Sequence, residues 1–174
     1  MKKVITICLL VVTLLVGAMT IDAKTTKKKT TKKTTRTSAS RSSIDGASYL
    51  DSSTFMSDEG FYSPSSIADD LMENGNFKLK STSKVRTEYG DGYITAKKTV
   101  YDGGNVTVSI YAYDGYTIEV DIKFTTTSIL NAFIERMEDQ GWEYSYSNSG
   151  TKSYYWQAGG MYVRGLSVTL TYGG

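Results

Sequence analysis

Residues 106–124 read VTVSIYAYDGYTIEVDIKF, and this stretch decides the fold. Apolar side chains alternate with polar ones on both sides of Asp114-Gly115, which is the period of strands with one buried face. A two-residue loop here would place the two apolar rows on opposite faces of the hairpin, whereas a three-residue loop aligns them by pairing Ala112 with Ile118. We therefore predict an antiparallel hairpin with the longer loop.

The same reasoning applies to the loop that precedes this hairpin. An odd-numbered loop around Asp102 and Gly103 pairs Val100 with Val106 and keeps the apolar rows on one face. Lys98 then falls in an apolar row, so we expect it near a strand end or an open edge of the sheet. The sequence predicts one apolar sheet face, covered by helices, and one polar face.

Two helices are indicated by capping residues and by apolar side chains at spacings of three and four. Ser63 can cap the free amides of the first helix, and Pro64 suits its first position because proline loses no hydrogen bond there. The second helix is predicted to begin at Thr127 or Ser128 and to end at Gly141. The apolar stripes comprise Ile67, Ala68, Leu71 and Met72 in the first helix, and Leu130, Phe133, Ile134 and Met137 in the second.

Each helix is followed by strands, and the two halves resemble each other. Residues 111–118 parallel residues 161–168, so we predict a duplication with repeats at 63–125 and 126–174, chance similarity being the alternative. The predicted fold class is α+β: two tandem helix-plus-antiparallel-meander units form one curved antiparallel sheet with two helices on one face. In outline this architecture resembles that of β-lactamase inhibitory proteins and, more distantly, small envelope lipoproteins of outer-membrane assembly. The resemblance is one of topology without a shared residue motif, so it implies no function and no site.

The N-terminus has the layout of a secretory signal peptide at residues 1–23. Two lysines precede an apolar run over residues 4–16, and small residues offer cleavage after Ala18 or Ala23. The apolar run is shorter than the roughly 20 residues that span a bilayer. We therefore predict an exported protein, periplasmic or extracellular after cleavage.

The predicted mature chain lacks two reactive kinds of side chain. The only cysteine is Cys8, within the signal peptide, and the sequence has no histidine. Because thiol and imidazole groups perform most nucleophilic catalysis and bind most zinc, we predict that the protein is not an enzyme and carries no cofactor or metal. A small hydrolase that works with carboxylates alone is the alternative.

Residues 24–43 contain eight basic side chains and no acid. They have almost no apolar surface whose burial could offset the entropy lost when a chain becomes ordered. We therefore predict a disordered basic linker. Its candidate contacts for an anionic envelope polymer or lipid surface are Lys27, Lys28, Lys29, Lys32 and Lys33. A solvated spacer is the alternative.

Residues 44–62 predict an irregular arm packed on an α+β domain at 63–174. From Asp45 onward, 17 acids outnumber 10 bases, so no specific nucleic-acid binding is expected.

The polar face of the predicted sheet carries the candidate binding site. The candidate residues are Tyr93, Tyr111, Tyr113 and Glu119 in the first repeat and Tyr155 in the second. Tyrosine combines apolar area with a hydroxyl group and suits contacts with sugar rings or proteins, although aromatic residues also favour strands for packing reasons alone. The other aromatic residues of the second repeat are predicted to be core, namely Trp142, Tyr144, Tyr146, Tyr154, Trp156, Tyr162 and Tyr172.

These observations predict an exported, non-enzymatic binding or protein-interaction module of the bacterial cell envelope. Its expected ligand is a protein or a glycan, bound on the aromatic outer face of the sheet. The alternatives are the carboxylate-only hydrolase and a purely structural envelope protein.

Overall fold

The computed structural model describes residues 45–173, so the predicted signal peptide and basic linker lie outside the described residues. Two α-helices and an antiparallel sheet confirm the predicted α+β class. The helices are α1 (Pro64–Glu73) and α2 (Thr127–Asp139), with short 3-10 helices at Gly46–Ser48 and Ser52–Thr54. The strands are β1 (Met56–Ser57), β2 (Gly60–Phe61), β3 (Lys78–Tyr89), β4 (Gly92–Asp102), β5 (Val106–Tyr113), β6 (Tyr116–Phe124), β7 (Glu143–Asn148), β8 (Thr151–Trp156), β9 (Gly159–Arg164) and β10 (Ser167–Tyr172).

Strands β3 to β10 form one eight-stranded sheet in the order β3-β4-β5-β6-β10-β9-β8-β7. Each α-helix is followed by a four-stranded meander, and the two meanders meet where β6 pairs with β10. Strands β3 and β7 lie at opposite edges of the sheet, whereas β10, the last of the described strands in sequence, lies in its interior.

Both helices begin at the predicted residues. The Ser63 hydroxyl accepts a hydrogen bond from the amide of Ser66 at 3.1 Å, and Pro64 occupies the first turn of α1. Thr126 caps α2 in the same way, because its hydroxyl accepts a hydrogen bond from the amide of Ile129 at 3.3 Å. These caps satisfy amides that have no partner within the helix and fix the point at which each helix starts.

One core joins both helices to a single face of the sheet. Val108 of β5 and Val120 and Ile122 of β6 are completely buried there. Phe124 packs against Phe133 of α2 with ring centroids 5.1 Å apart. Each such side chain contributes about 1.5–3 kcal/mol by leaving water. This side is the helix-covered face, and the opposite side is the helix-free face.

The segment before α1 is held on the core by apolar side chains and by one arginine. Leu50 and Phe55 of this segment are fully buried. Arg136 of α2 donates one hydrogen bond to the carbonyl oxygen of Leu50 at 3.2 Å and another to that of Ala47 at 2.5 Å. Because the guanidinium group offers several fixed donors, one side chain satisfies two carbonyl groups of an irregular segment.

The β5–β6 hairpin aligns its apolar rows as predicted, but by a different device. Its turn has two residues, Asp114 and Gly115, whose φ angles of 50° and 85° fit a type I′ turn. The turn pairs Ala112 with Thr117, so the predicted pairing of Ala112 with Ile118 is wrong. A bulge at Ile118 then shifts the register by one residue, which restores the alignment that the tight turn alone would lose.

The β4–β5 register differs from the prediction. Asp102 pairs with Thr107, and Val100 pairs with Ser109 rather than with Val106. The predicted and observed pairings differ by an odd number of residues, and side chains alternate between faces at every residue. Each side chain of β4 therefore points to the face of the sheet opposite to the predicted one.

Long-range contacts of the β4–β5 loop explain this difference. The amide of Gly46 donates a hydrogen bond to the carbonyl oxygen of Gly103 at 3.0 Å, and the amide of Ala47 donates one to Oδ1 of Asn105 at 3.0 Å. These contacts to the segment before α1 set the conformation of the loop, which local turn chemistry could not indicate. As a correction, Lys98 lies on the helix-free face instead of in an apolar row.

Candidate functional site

The helix-free face carries two groups of tyrosines on either side of a polar centre. The first group comprises Tyr89, Tyr111 and Tyr113, and the second comprises Tyr146, Tyr155 and Tyr162, and together we call them the tyrosine face. Direct cross-strand neighbours connect the two groups in one row of Tyr111, Glu119, Thr171, Gly160 and Tyr155. The row shows that both meanders contribute to one surface.

Four of the five predicted site residues lie on this surface. Tyr111, Tyr113 and Glu119 belong to its first half and Tyr155 to its second half. Tyr113 is 44% exposed and Tyr155 is 38% exposed. The ring of Tyr89, which the sequence analysis did not select, lies 6.2 Å from that of Tyr113.

Tyr93, the fifth predicted residue, does not lie on the tyrosine face. The register of β4 turns it to the helix-covered side, where it is 60% exposed at the projecting β3–β4 hairpin. Its hydroxyl donates a hydrogen bond to Glu88 at 3.0 Å, and the guanidinium carbon of Arg86 lies 4.5 Å from the ring centroid. The prediction for Tyr93 is therefore wrong, for the reason given for Lys98.

A chain of hydrogen bonds crosses the polar centre from β4 to β10. The ammonium group of Lys98 donates to the hydroxyl of Tyr111 at 2.7 Å, and this hydroxyl donates to Oδ2 of Asp121 at 3.0 Å. The hydroxyl of Thr169 donates to Oδ1 of Asp121 at 2.7 Å. Burial, and then the charge of Asp121, raise the pKa of Tyr111 far above its usual value, so the hydroxyl stays a donor. Such a network fixes the positions of its members.

Glu119 stands beside this network without joining it. Its carboxylate accepts no hydrogen bond from the side chains of residues 45–173, and the residue is half-buried. Burial and then the charge of Asp121 raise the pKa of Glu119, while Lys98 lowers it. The Glu119 carboxylate is therefore free to accept a hydrogen bond from a ligand on this face.

The second group of tyrosines forms its own cluster. The rings of Tyr155 and Tyr162 meet edge to face with centroids 6.4 Å apart. Hydrogen bonds with Tyr162 and then Tyr146 raise the pKa of Tyr155 to about 12. The Tyr155 hydroxyl is therefore protonated at neutral pH and can serve as a donor or an acceptor.

The prediction that Tyr146 and Tyr162 are core residues is wrong. A bulge at Ser145 changes the register of β7, so that Tyr146 pairs with Ser153 on the helix-free face. Met161, next to Tyr162 in β9, pairs with the buried Leu170, which turns Tyr162 to the other side. The alternation of apolar residues in β9 is the signal that could have placed Tyr162 correctly.

The other aromatic residues of the second half differ in how deeply they are buried. Trp142 and Tyr154 are buried, as predicted, and Trp156 packs against the core. Tyr144 has an exposed side chain, contrary to the prediction, because it lies on the edge strand β7. Tyr172 is only partly buried and packs near Phe61, with ring centroids 6.5 Å apart.

The arrangement suits recognition by aromatic surface and hydrogen bonds. Within residues 45–173, no three acidic, cysteine or histidine side chains are grouped so that they could hold a metal ion. The helices of this same part of the chain are all too short or too polar to cross a membrane. No protein-family model, curated protein or solved structure matches the chain.

Proposed function

We propose that this protein is an exported, non-enzymatic binding module of the bacterial cell envelope, and that its protein or glycan ligand contacts the tyrosine face. The observation that carries the proposal is the exposure of tyrosines from both meanders on one helix-free surface, beside an ordered polar network. Tyrosine is enriched at interfaces because one residue supplies apolar area and a hydroxyl group with little entropy to lose.

The core does not require these aromatic rings. The apolar core lies on the helix-covered face, whereas Tyr89, Tyr113 and Tyr155 retain large exposed areas on the other side. Exposed aromatic groups on a surface with fixed hydrogen-bonding partners are the usual composition of a binding hot spot. Glu119 adds an unengaged carboxylate to the centre of this surface.

Gene duplication explains the two-part character of the surface. We infer that residues 63–125 and 126–174 descend from one helix-plus-meander unit. The order of strands in the sheet is the same in each half when read from the edge to the centre, and this symmetry supports the inference. A ligand that bridges both tyrosine groups would then contact both units.

Export and retention form the second part of the proposal. Residues 1–23 direct the chain out of the cytoplasm, and the lysines of residues 24–43 bind an anionic polymer or lipid surface of the envelope. Binding of the mature chain to anionic vesicles should weaken steeply between low and physiological salt, and deletion of residues 24–43 should abolish it. Binding that is insensitive to salt would contradict this part.

Replacement of exposed tyrosines tests the binding surface. Wild type and a Tyr111→Ser, Tyr113→Ser, Tyr155→Ser variant are compared by glycan-array binding and by crosslinked pull-down from the envelope fraction. The matched control is Tyr93→Ser, a more exposed tyrosine on the other side of the sheet. We expect the triple variant to lose its ligands and the control to keep them. Equal capture by a correctly folded triple variant would refute the proposal.

A carboxylate-only hydrolase is the alternative that one observation favours. Glu119 has a raised pKa and lies near Asp121, and glycosidases use two carboxyl groups in different surroundings as acid and base or nucleophile. Glu119→Gln should abolish hydrolysis of aryl glycosides if this alternative is correct. A structural envelope protein, the third reading, would retain cell-surface localisation through residues 24–43 alone and lose nothing when the tyrosines are replaced.

A further inference from the structure

A cavity of about 500 Å³ lies on the helix-covered side of the first meander, outside the tyrosine face. The apolar Ile110 and Ala112 of β5 form part of its lining, together with Ala68 of α1 and Leu79 of β3. Leu79 is 57% exposed, which is unusual for a leucine on the same side of the sheet as the core. The cavity volume falls within the roughly 300–1,000 Å³ of small-molecule sites.

One lysine lines this cavity, and a second is its neighbour on the next strand. Lys97 of β4 belongs to the lining, and the β3–β4 register places Lys84 directly opposite Lys97. Direct cross-strand neighbours point to the same face, and Lys97 is also paired with Ala112, so both side chains extend from the helix-covered side of the sheet. Like charges directly opposite each other destabilise a sheet. A bound anion would reduce the repulsion between the two lysines.

Three acidic residues lie on or near the cavity. Glu88 on the same strand as Lys84 accepts the hydrogen bond of Tyr93, Asp114 lines the cavity, and Asp69 of α1 lies near Tyr101 of the lining. The site therefore combines apolar and hydroxyl-bearing lining residues with two lysines on adjacent strands. This combination is complementary to a molecule with an apolar chain and an anionic end.

We propose that the cavity binds a single-chain amphipathic anion of the fatty-acid type. Its carboxylate lies between Lys84 and Lys97, and its chain covers Ile110, Ala112 and Leu79. This inference goes beyond the proposed function and is independent of it, because the tyrosine face lies on the opposite side of the sheet.

Titration of the mature chain with alkyl carboxylates tests the proposal. The probes are hexanoate, octanoate and decanoate, with decanol and decyltrimethylammonium as neutral and cationic controls, followed by calorimetry and by NMR of the methyl groups of Ile110 and Ala112. We expect affinity to rise about fourfold per added methylene group. We also expect decanoate to bind at least about tenfold more tightly than either control. Equal binding of all three decyl compounds, or shifts that bypass both methyl groups, would overturn the proposal.

Charge-removing variants locate the anionic end. Lys84→Gln and Lys97→Gln should each weaken decanoate binding by about threefold to tenfold while leaving decanol binding unchanged. Lys123→Gln, an exposed lysine on the helix-free face, is the matched control and should bind decanoate like wild type. Because like-charge repulsion is removed, neither cavity variant should melt below wild type in the absence of ligand. Absence of binding to monomeric decanoate would overturn the site, even if the mature chain associates with anionic vesicles through residues 24–43.

Discussion

A Cβ atom on Gly103 would lie 2.5 Å from Cε1 of Phe77, closer than any real Cβ contact. The same ring would lie 2.8 Å from a Cβ on Gly46 or on Gly75. Three segments of the chain therefore approach one phenylalanine at positions where only glycine fits. We expect Gly103→Ala to lower the free energy of unfolding by about 1–3 kcal/mol, because the fully buried ring has little room to move.

Urea denaturation of Gly103→Ala measures this effect against a glycine that has free space. A Cβ on Gly92 would have no atom within 4 Å, and its backbone does not require glycine. Gly92→Ala should therefore stay within about 0.5 kcal/mol of wild type. Equal stability of the two variants would show that the packing around Phe77 is not tight.

Removal of one hydroxyl group tests the network on the helix-free face. Tyr111→Phe leaves Asp121 with one hydrogen bond fewer and Lys98 without its acceptor, so we expect a loss of about 1–3 kcal/mol in unfolding free energy. Tyr113→Phe is the control, because it removes a hydroxyl from a more exposed residue of the same strand. Thermal unfolding of both variants gives the comparison, and an equal effect of the two would contradict an ordered network.

The pKa of Glu119 predicts a pH-dependent stability difference. A carboxyl group with a raised pKa in the folded state favours folding in its protonated form, and this contribution is lost as the pH rises through the folded-state pKa. Glu119→Gln should therefore unfold at higher urea concentration than wild type at pH 7. The difference should shrink below about pH 4.3, where the carboxyl of the unfolded chain is also protonated. If the stability difference between the variant and wild type grew on acidification, the pKa of Glu119 would be lowered rather than raised by folding.

Arg136 should control the order of the segment before α1. Arg136→Met keeps an unbranched apolar stem but removes both hydrogen bonds to the carbonyl groups of Ala47 and Leu50. We expect a loss of about 1.5–3 kcal/mol and faster amide hydrogen exchange over residues 46–55. Glu135→Gln, at an exposed position of the same helix, should change neither quantity. Unchanged exchange in Arg136→Met would show that burial of Leu50 alone holds the segment.

Local patterns predicted the helices and the central hairpin well. Ser63 and Pro64 mark the start of α1, because capping depends on residues close in sequence. The alternation in β5 and β6 correctly predicted which of their residues face the core. The alternation could not show whether a longer loop or a bulge aligns the two apolar rows. Either one leaves the residues of β6 beyond Ile118 facing the same side of the sheet.

Contacts between distant segments account for the errors. The β4–β5 loop takes its conformation from Gly46 and Ala47, more than 50 residues away, and this contact reversed the faces predicted for Tyr93 and Lys98. One bulge in β7 likewise reversed Tyr146. In the first meander the sequence therefore located the candidate surface on β5 and β6, and in the second it selected only Tyr155. Tyr146 was missed because one inserted residue in β7 reverses the faces of the residues beyond it.

The interior position of β10 has a consequence for how the protein is made. Among the described strands these six residues are synthesised last, yet they fill the gap between β6 and β9. Until β10 has emerged, the facing edges of β6 and β9 have no partner strand between them. A chain that stops before Ser167 would therefore be divided in the middle of the sheet rather than shortened at its border.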